Sequence, residues 1–104
     1  MNKLEIAMIN NIALDHPIAL QVLEHCQVLT RSFMGSGSAT HFAAITTPLL
    51  SESQNLKTPD IFIMDGLELT ANLKLENGIP QALEITCLNW AGWDGAFSSF
   101  TIKS

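Results

Sequence analysis

Along residues 67–75 every odd position is apolar (Leu67, Leu69, Ala71, Leu73, Leu75) and every even one is polar (Glu68, Thr70, Asn72, Lys74). Strict alternation is the mark of a strand with one face buried and one in water. The pattern returns at Leu83, Ile85 and Cys87, set against Glu84 and Thr86. Asn77-Gly78 lies between the two runs, so a β-hairpin is expected. Facing residues must point to the same side, so their numbers must sum to an even value. A three-residue loop, Glu76-Asn77-Gly78, satisfies this and predicts the pairs 75↔79, 71↔83, 69↔85 and 67↔87, with Gly78 left-handed. Glu68 and Glu84 then become diagonal neighbours on the outward face, on the order of 7 Å apart. Leu69, Ala71, Leu83, Ile85 and Cys87 should face a helix.

Upstream, the period is helical. A helix is expected to begin near Asp15, which can cap it, with Pro17 in its first turn. Ile18, Val22 and Cys26, with Ala19 and Leu23, make one apolar stripe, and Gln21, Glu24 and Gln27 fall opposite. From Val28 the pattern becomes strand-like. Residues 28–34 and 39–46 are rich in Thr, Val, Ile and Phe, and Gly35-Ser36-Gly37 punctuates them as a hairpin. Residues 48–59 are polar and read as a surface loop. A short strand follows at 61–64, ended by Asp65-Gly66; residues 89–95 form a loop holding both tryptophans, and 97–102 a last strand. The expected architecture is α+β: an antiparallel sheet of about five or six strands, with one N-terminal amphipathic helix packed on one face. At 104 residues it is a single domain, 1–104.

Charge adds a second kind of information. Residues 60–94 carry six acids (Asp60, Asp65, Glu68, Glu76, Glu84, Asp94) and one base (Lys74), a local balance of −5 that equals the net charge of the chain. Both Trp90 and Trp93 fall there too. Concentrated like charge raises self-repulsion in the folded state and points to a partner of opposite sign. Tryptophan is enriched at the energetic centres of interfaces. A net −5 weighs against direct nucleic-acid binding, which needs a basic stripe, and against anionic membrane. No apolar run approaches the roughly 20 residues of a membrane span, and none resembles a secretory leader. Cys26 and Cys87 are too few for a disulfide scaffold and are expected reduced and buried. The cytoplasm is the expected compartment.

Candidate chemistry is sparse. Glu68 and Glu84 could do acid–base work, but the spacing implies no cleft or second functional group, and a solvated sheet face is the favoured reading. His16, His25 and His41, with the two cysteines, show no ligand spacing, so no metal and no cofactor is expected. Gly35-Ser36-Gly37-Ser38 lacks a third glycine and precedes a strand, which favours a turn over a phosphate loop. Arg31, the single arginine, is expected to neutralise a carboxylate at the edge of the core. Trp90 and Trp93 sit beside Asp94 in a glycine-containing loop, and core packing of both and partial exposure of one stand as equal readings.

The stretch Arg31-x-Phe33-x-Gly35-x-Gly37-x-x-Thr40-x-Phe42, then Asn77-Gly78-Ile79-x-x-x-Leu83-Glu84 and a tryptophan-rich loop, resembles a group of small bacterial proteins. Among them are the immunity proteins of contact-dependent growth inhibition systems. The group often has an aromatic after the second glycine, where this chain has Ser38. The resemblance implies a cytoplasmic, monomeric, non-enzymatic inhibitor that binds a cognate toxin domain. Such toxins are commonly basic nucleases, RNase or DNase. No functional residue carries over from the group. The charge pattern itself nominates Glu68, Glu84, Trp90, Trp93 and Asp94 as partner-binding residues. Two other readings stand beside it: a small-molecule-binding or enzymatic α+β domain with residues 48–59 as a lid, and a self-associating module that buries Trp90 and Trp93.

Overall fold

The longest helix lies where no helix was expected. Residues Lys3–Asp15 form α1, which buries Leu4, Met8, Ile9 and Ile12 along one stripe. A capping box opens it. Asn2 Oδ1 accepts from the Glu5 N–H at 2.9 Å, and Glu5 Oε1 accepts from the Asn2 N–H at 2.8 Å. Asp15 is therefore the last residue of α1, not the cap of a new helix. The expected apolar stripe follows as a single 3-10 turn, Pro17–Ala19, running into α2, Leu20–His25; Ala19, Val22 and Cys26 are buried along it. The structure, a computed structural model, describes residues 1–33, 35–45, 48–49, 53–89, 93 and 98–103.

Seven strands among these residues make one antiparallel sheet: β1 Val28–Phe33, β2 Gly37–Phe42, β3 Gln54–Lys57, β4 Ile61–Met64, β5 Leu67–Glu76, β6 Ile79–Cys87 and β7 Thr101–Lys103. Their order across the sheet is β1-β2-β6-β5-β4-β7, with β3 sharing with β4 the free edge of β5. The sheet is thus six strands wide, as the α+β reading expected. Residues 54–57, read as part of a surface loop, are a strand because β5 is ten residues long and β4 covers only its first part. Pro59 falls in the break between β3 and β4, where a missing N–H interrupts no ladder. Asn11 of α1 pins this break through two hydrogen bonds to Asp60, at 2.8 and 3.2 Å.

The β5–β6 hairpin keeps the expected faces but not the expected register. Asn77 and Gly78 are both left-handed (φ 51° and 79°), and Glu76 pairs with Ile79, so the loop has two residues. Such a loop makes facing numbers sum to an odd value. A bulge at Gln81 then adds one residue to β6, and from Lys74↔Ala82 onward the sum is even. The pairs are Leu73↔Leu83, Ala71↔Ile85 and Leu69↔Cys87, two residues from the predicted ones. The turn preference of Asn-Gly overrides simple parity, and the bulge beside Pro80 reconciles the two.

One face of the sheet packs on the helices. Leu56, Phe62, Met64, Leu69, Ala71, Leu73, Leu83, Ile85 and Cys87 join Met8, Ile9, Ile12 and Val22 in a single core. This bears out the alternation of β5 and β6. Cys26 and Cys87 are both free and buried. Gly37 is required where β2 crosses β6, because a Cβ there would overlap the Ile85 carbonyl oxygen.

Candidate functional site

The opposite face of the sheet is left uncovered by both helices, and the even positions of β5 and β6 point there. In the observed register Asn72 lies directly opposite Glu84, and Thr70 opposite Thr86. Lys57 of β3 pairs with Asn72 from the other side. These residues, with Thr58, line an open cleft of about 410 Å³. Thr58 is fixed at its edge: its Oγ1 accepts from the Ala71 N–H at 3.1 Å, and its own N–H donates to the Ala71 carbonyl at 3.0 Å.

Within the cleft two acceptors, the Glu84 carboxylate and the Asn72 amide oxygen, lack a partner among the described residues. Glu84 is half-buried, and its side chain has neither an ion pair nor a hydrogen bond among the described residues. The Asn72 amide nitrogen donates to Asn55 Oδ1 at 3.1 Å, and its oxygen is buried without a partner among the described residues. The two side chains are cross-strand neighbours, with Cβ atoms about 5 Å apart. A carboxylate and an amide oxygen therefore stand side by side with no donor between them.

The helix-covered face treats its carboxylate differently. Glu5 is fully buried, yet it accepts from Arg31 Nε at 3.0 Å, Arg31 Nη2 at 2.7 Å, the Asn2 N–H and the Thr40 hydroxyl. Burial alone would raise its pKa. The hydrogen bonds from Arg31, Thr40 and Asn2, with the Arg31 charge, outweigh burial and hold it below the ordinary 4.5. Arg31 thus neutralises a core carboxylate, as its sequence position suggested.

The nominated residues do not form one cluster. Glu68 lies on the uncovered face and is half-buried, but in the observed register it is four residues along β5 from the position facing Glu84, about 13 Å. The predicted diagonal pairing of Glu68 and Glu84 is corrected by the shift at Gln81. Trp93 is 4% exposed and belongs to the core, so it offers no indole face to a partner. That burial also removes it from a self-associating surface. Trp90 and Asp94 lie outside the described residues. The remaining acids disperse: Asp60 is held by Asn11, Asp65 accepts from the Ser98 hydroxyl at 2.5 Å, and Glu76 is exposed at the hairpin tip. Sequence proximity did not translate into one acidic surface, because strands crossing the sheet carry their charges to opposite ends.

Lys57, Thr70, Asn72 and Thr86 were not singled out from the sequence as site residues. Three of them were legible as outward-facing positions of the alternating strands. Lys57 was hidden in the segment read as a loop. Among the described residues no group of three His, Cys, Asp or Glu side chains could hold a metal ion. No described helix is long and apolar enough to cross a membrane. No protein-family profile, curated protein or solved structure matches this chain.

Proposed function

We propose that the chain is a non-enzymatic inhibitor of the immunity type, which binds and neutralises a cognate bacterial toxin domain in the cytoplasm. The expected target is a basic nuclease whose active site the protein covers. The observation that carries this reading is the one-sided architecture. Two helices shield one face of the sheet, while the other presents an uncompensated Glu84 in a cleft and Glu68 farther along the same strands. The net charge of −5 would steer a basic partner toward it. The motif resemblance around Gly35, Gly37 and Asn77-Gly78 supports the same class.

The test is co-expression with the C-terminal domain of the protein encoded by the neighbouring gene, followed by association rates across ionic strength. A stable complex is expected, with an on-rate that falls as salt rises. Glu68→Gln and Glu84→Gln should each slow association and flatten that dependence. A tight complex that ignores salt and tolerates both changes would place the interface elsewhere; no complex at all would remove the reading.

The cleft favours one alternative, a small-molecule-binding or enzymatic domain. The lid of that reading is corrected in part, since residues 54–57 are a strand of the sheet, and its last residue, Lys57, lines the cleft as part of its wall. Saturable binding of a metabolite at the cleft, without any protein partner, would select it.

A further inference from the structure

We infer that the Glu84 cleft is a receptor for a single arginine side chain presented by the partner. This deepens the proposal above and rests on its claim that the uncovered face meets a basic protein. The chemistry of the cleft selects the guest. Glu84 and Asn72 face each other across β5 and β6 as two acceptors with no donor among the described residues. The Asn72 nitrogen is engaged by Asn55, which leaves the oxygen as the free end of the amide. The next pair along the strands, Thr70 and Thr86, adds two hydroxyls that can accept as well as donate.

A guest must therefore bring several N–H donors and one positive charge. A guanidinium carries five donors in a planar fork and can span neighbouring acceptors, whereas an ammonium is a point charge. Lys57 lies on the far side of Asn72 from Glu84 and makes no ion pair among the described residues. Its charge opposes entry of a second cation, so the cleft takes one basic side chain. For a cationic guest Lys57 is antagonistic; for a zwitterionic guest it would be essential. That opposite sign makes the inference testable.

The experiment is an amide-resolved NMR titration of the full chain with N-acetyl-arginine amide. Parallel arms use N-acetyl-lysine amide, N-acetyl-citrulline amide and free L-arginine. Saturable shifts are expected at residues 57–58, 70–72 and 84–86 with the arginine amide. Binding should be about threefold or more weaker for the lysine amide and undetectable for the uncharged citrulline amide. Glu84→Gln, checked for an otherwise unchanged spectrum, should weaken the arginine amide about tenfold. Lys57→Met should tighten it. No saturable shift, equal binding of citrulline, or indifference to Glu84→Gln would overturn the inference. Free arginine binding more tightly than the blocked amide, with Lys57→Met weakening it, would overturn it too, in favour of an amino-acid site. The same variants separate this result from the broader reading. If the toxin domain binds with salt-dependent kinetics while the arginine amide does not bind, only the arginine receptor falls. If the arginine amide binds and no toxin complex forms, the receptor stands and the inhibitor reading falls.

Discussion

Glu5 and Glu84 occupy opposite faces of one sheet, and the protein handles them in opposite ways. Glu5 reaches from α1 to Arg31 of β1 and Thr40 of β2, is fully buried, and accepts four hydrogen bonds from three residues, Asn2, Arg31 and Thr40. Glu84, next to the core residue Leu83, is half-buried with no donor among the described residues. A buried charge persists only when it is paired and hydrogen-bonded. Glu5 meets that condition within the chain, so it is part of the architecture. Glu84 does not meet it, and keeps its solvation only because the face above it is open. Where a carboxylate stands in one sheet thus separates holding the fold together from remaining available to something else.

The hardest way to break this comparison is to remove the partner of Glu5. Arg31→Leu should destabilise by about 3–5 kcal/mol, since it strands a buried carboxylate. Adding Glu5→Gln should recover part of the loss, and urea unfolding of both variants measures it. If Arg31→Leu is neutral, the buried pair is not structural.

Leu83→Ala should cost about 2–5 kcal/mol as a cavity in the core under the helices. A denaturation midpoint equal to that of the parent would mean that β6 faces the other way. Gly37→Ala should cost about 1–3 kcal/mol, because the new Cβ meets the Ile85 backbone and β2 must shift from β6. An unchanged thermal midpoint would show that the crossing has slack.

The pH dependence sharpens the contrast further. The folded pKa of Glu5 is lowered, so its contribution is fully present above the ordinary 4.5 and is lost as pH falls through the folded value. Stability should therefore drop below about pH 4.5 in the parent, and Glu5→Gln should flatten that part of the curve. Equal acid sensitivity in both proteins would assign the effect to other carboxylates. The smallest effect is expected at Glu84, where Glu84→Ala should change stability by no more than about 0.5 kcal/mol. A larger loss would show that Glu84 is structural after all.

Much of the fold was legible because local rules are strong where they apply. Alternation in β5 and β6 identified Leu69, Ala71, Leu83, Ile85 and Cys87 as the covered face. Asp65-Gly66 and Asn77-Gly78 marked turns that both use left-handed residues. The helix α1 was also written locally, as the capping box Asn2-x-x-Glu5 and the stripe Leu4, Met8, Ile9 and Ile12, but Glu5 puts a charge beside that stripe. A charge there reads as a break until its partner is known, and Arg31 is 26 positions away.

What the chain determines by itself is therefore the face of each strand and the sites of its turns, since both follow from residue spacing and backbone preference. The register of β5 against β6 needed Gln81 as a bulge, a compromise between turn and sheet that neither shows alone. The pairing of β3 with β5 depended on an edge left open by the shortness of β4. The cleft depended on both, because Lys57, Asn72 and Glu84 come from three strands and meet only once those registers are set. Spacing along a chain governs what is near in sequence; contacts between distant strands are chosen by the packing of the whole sheet.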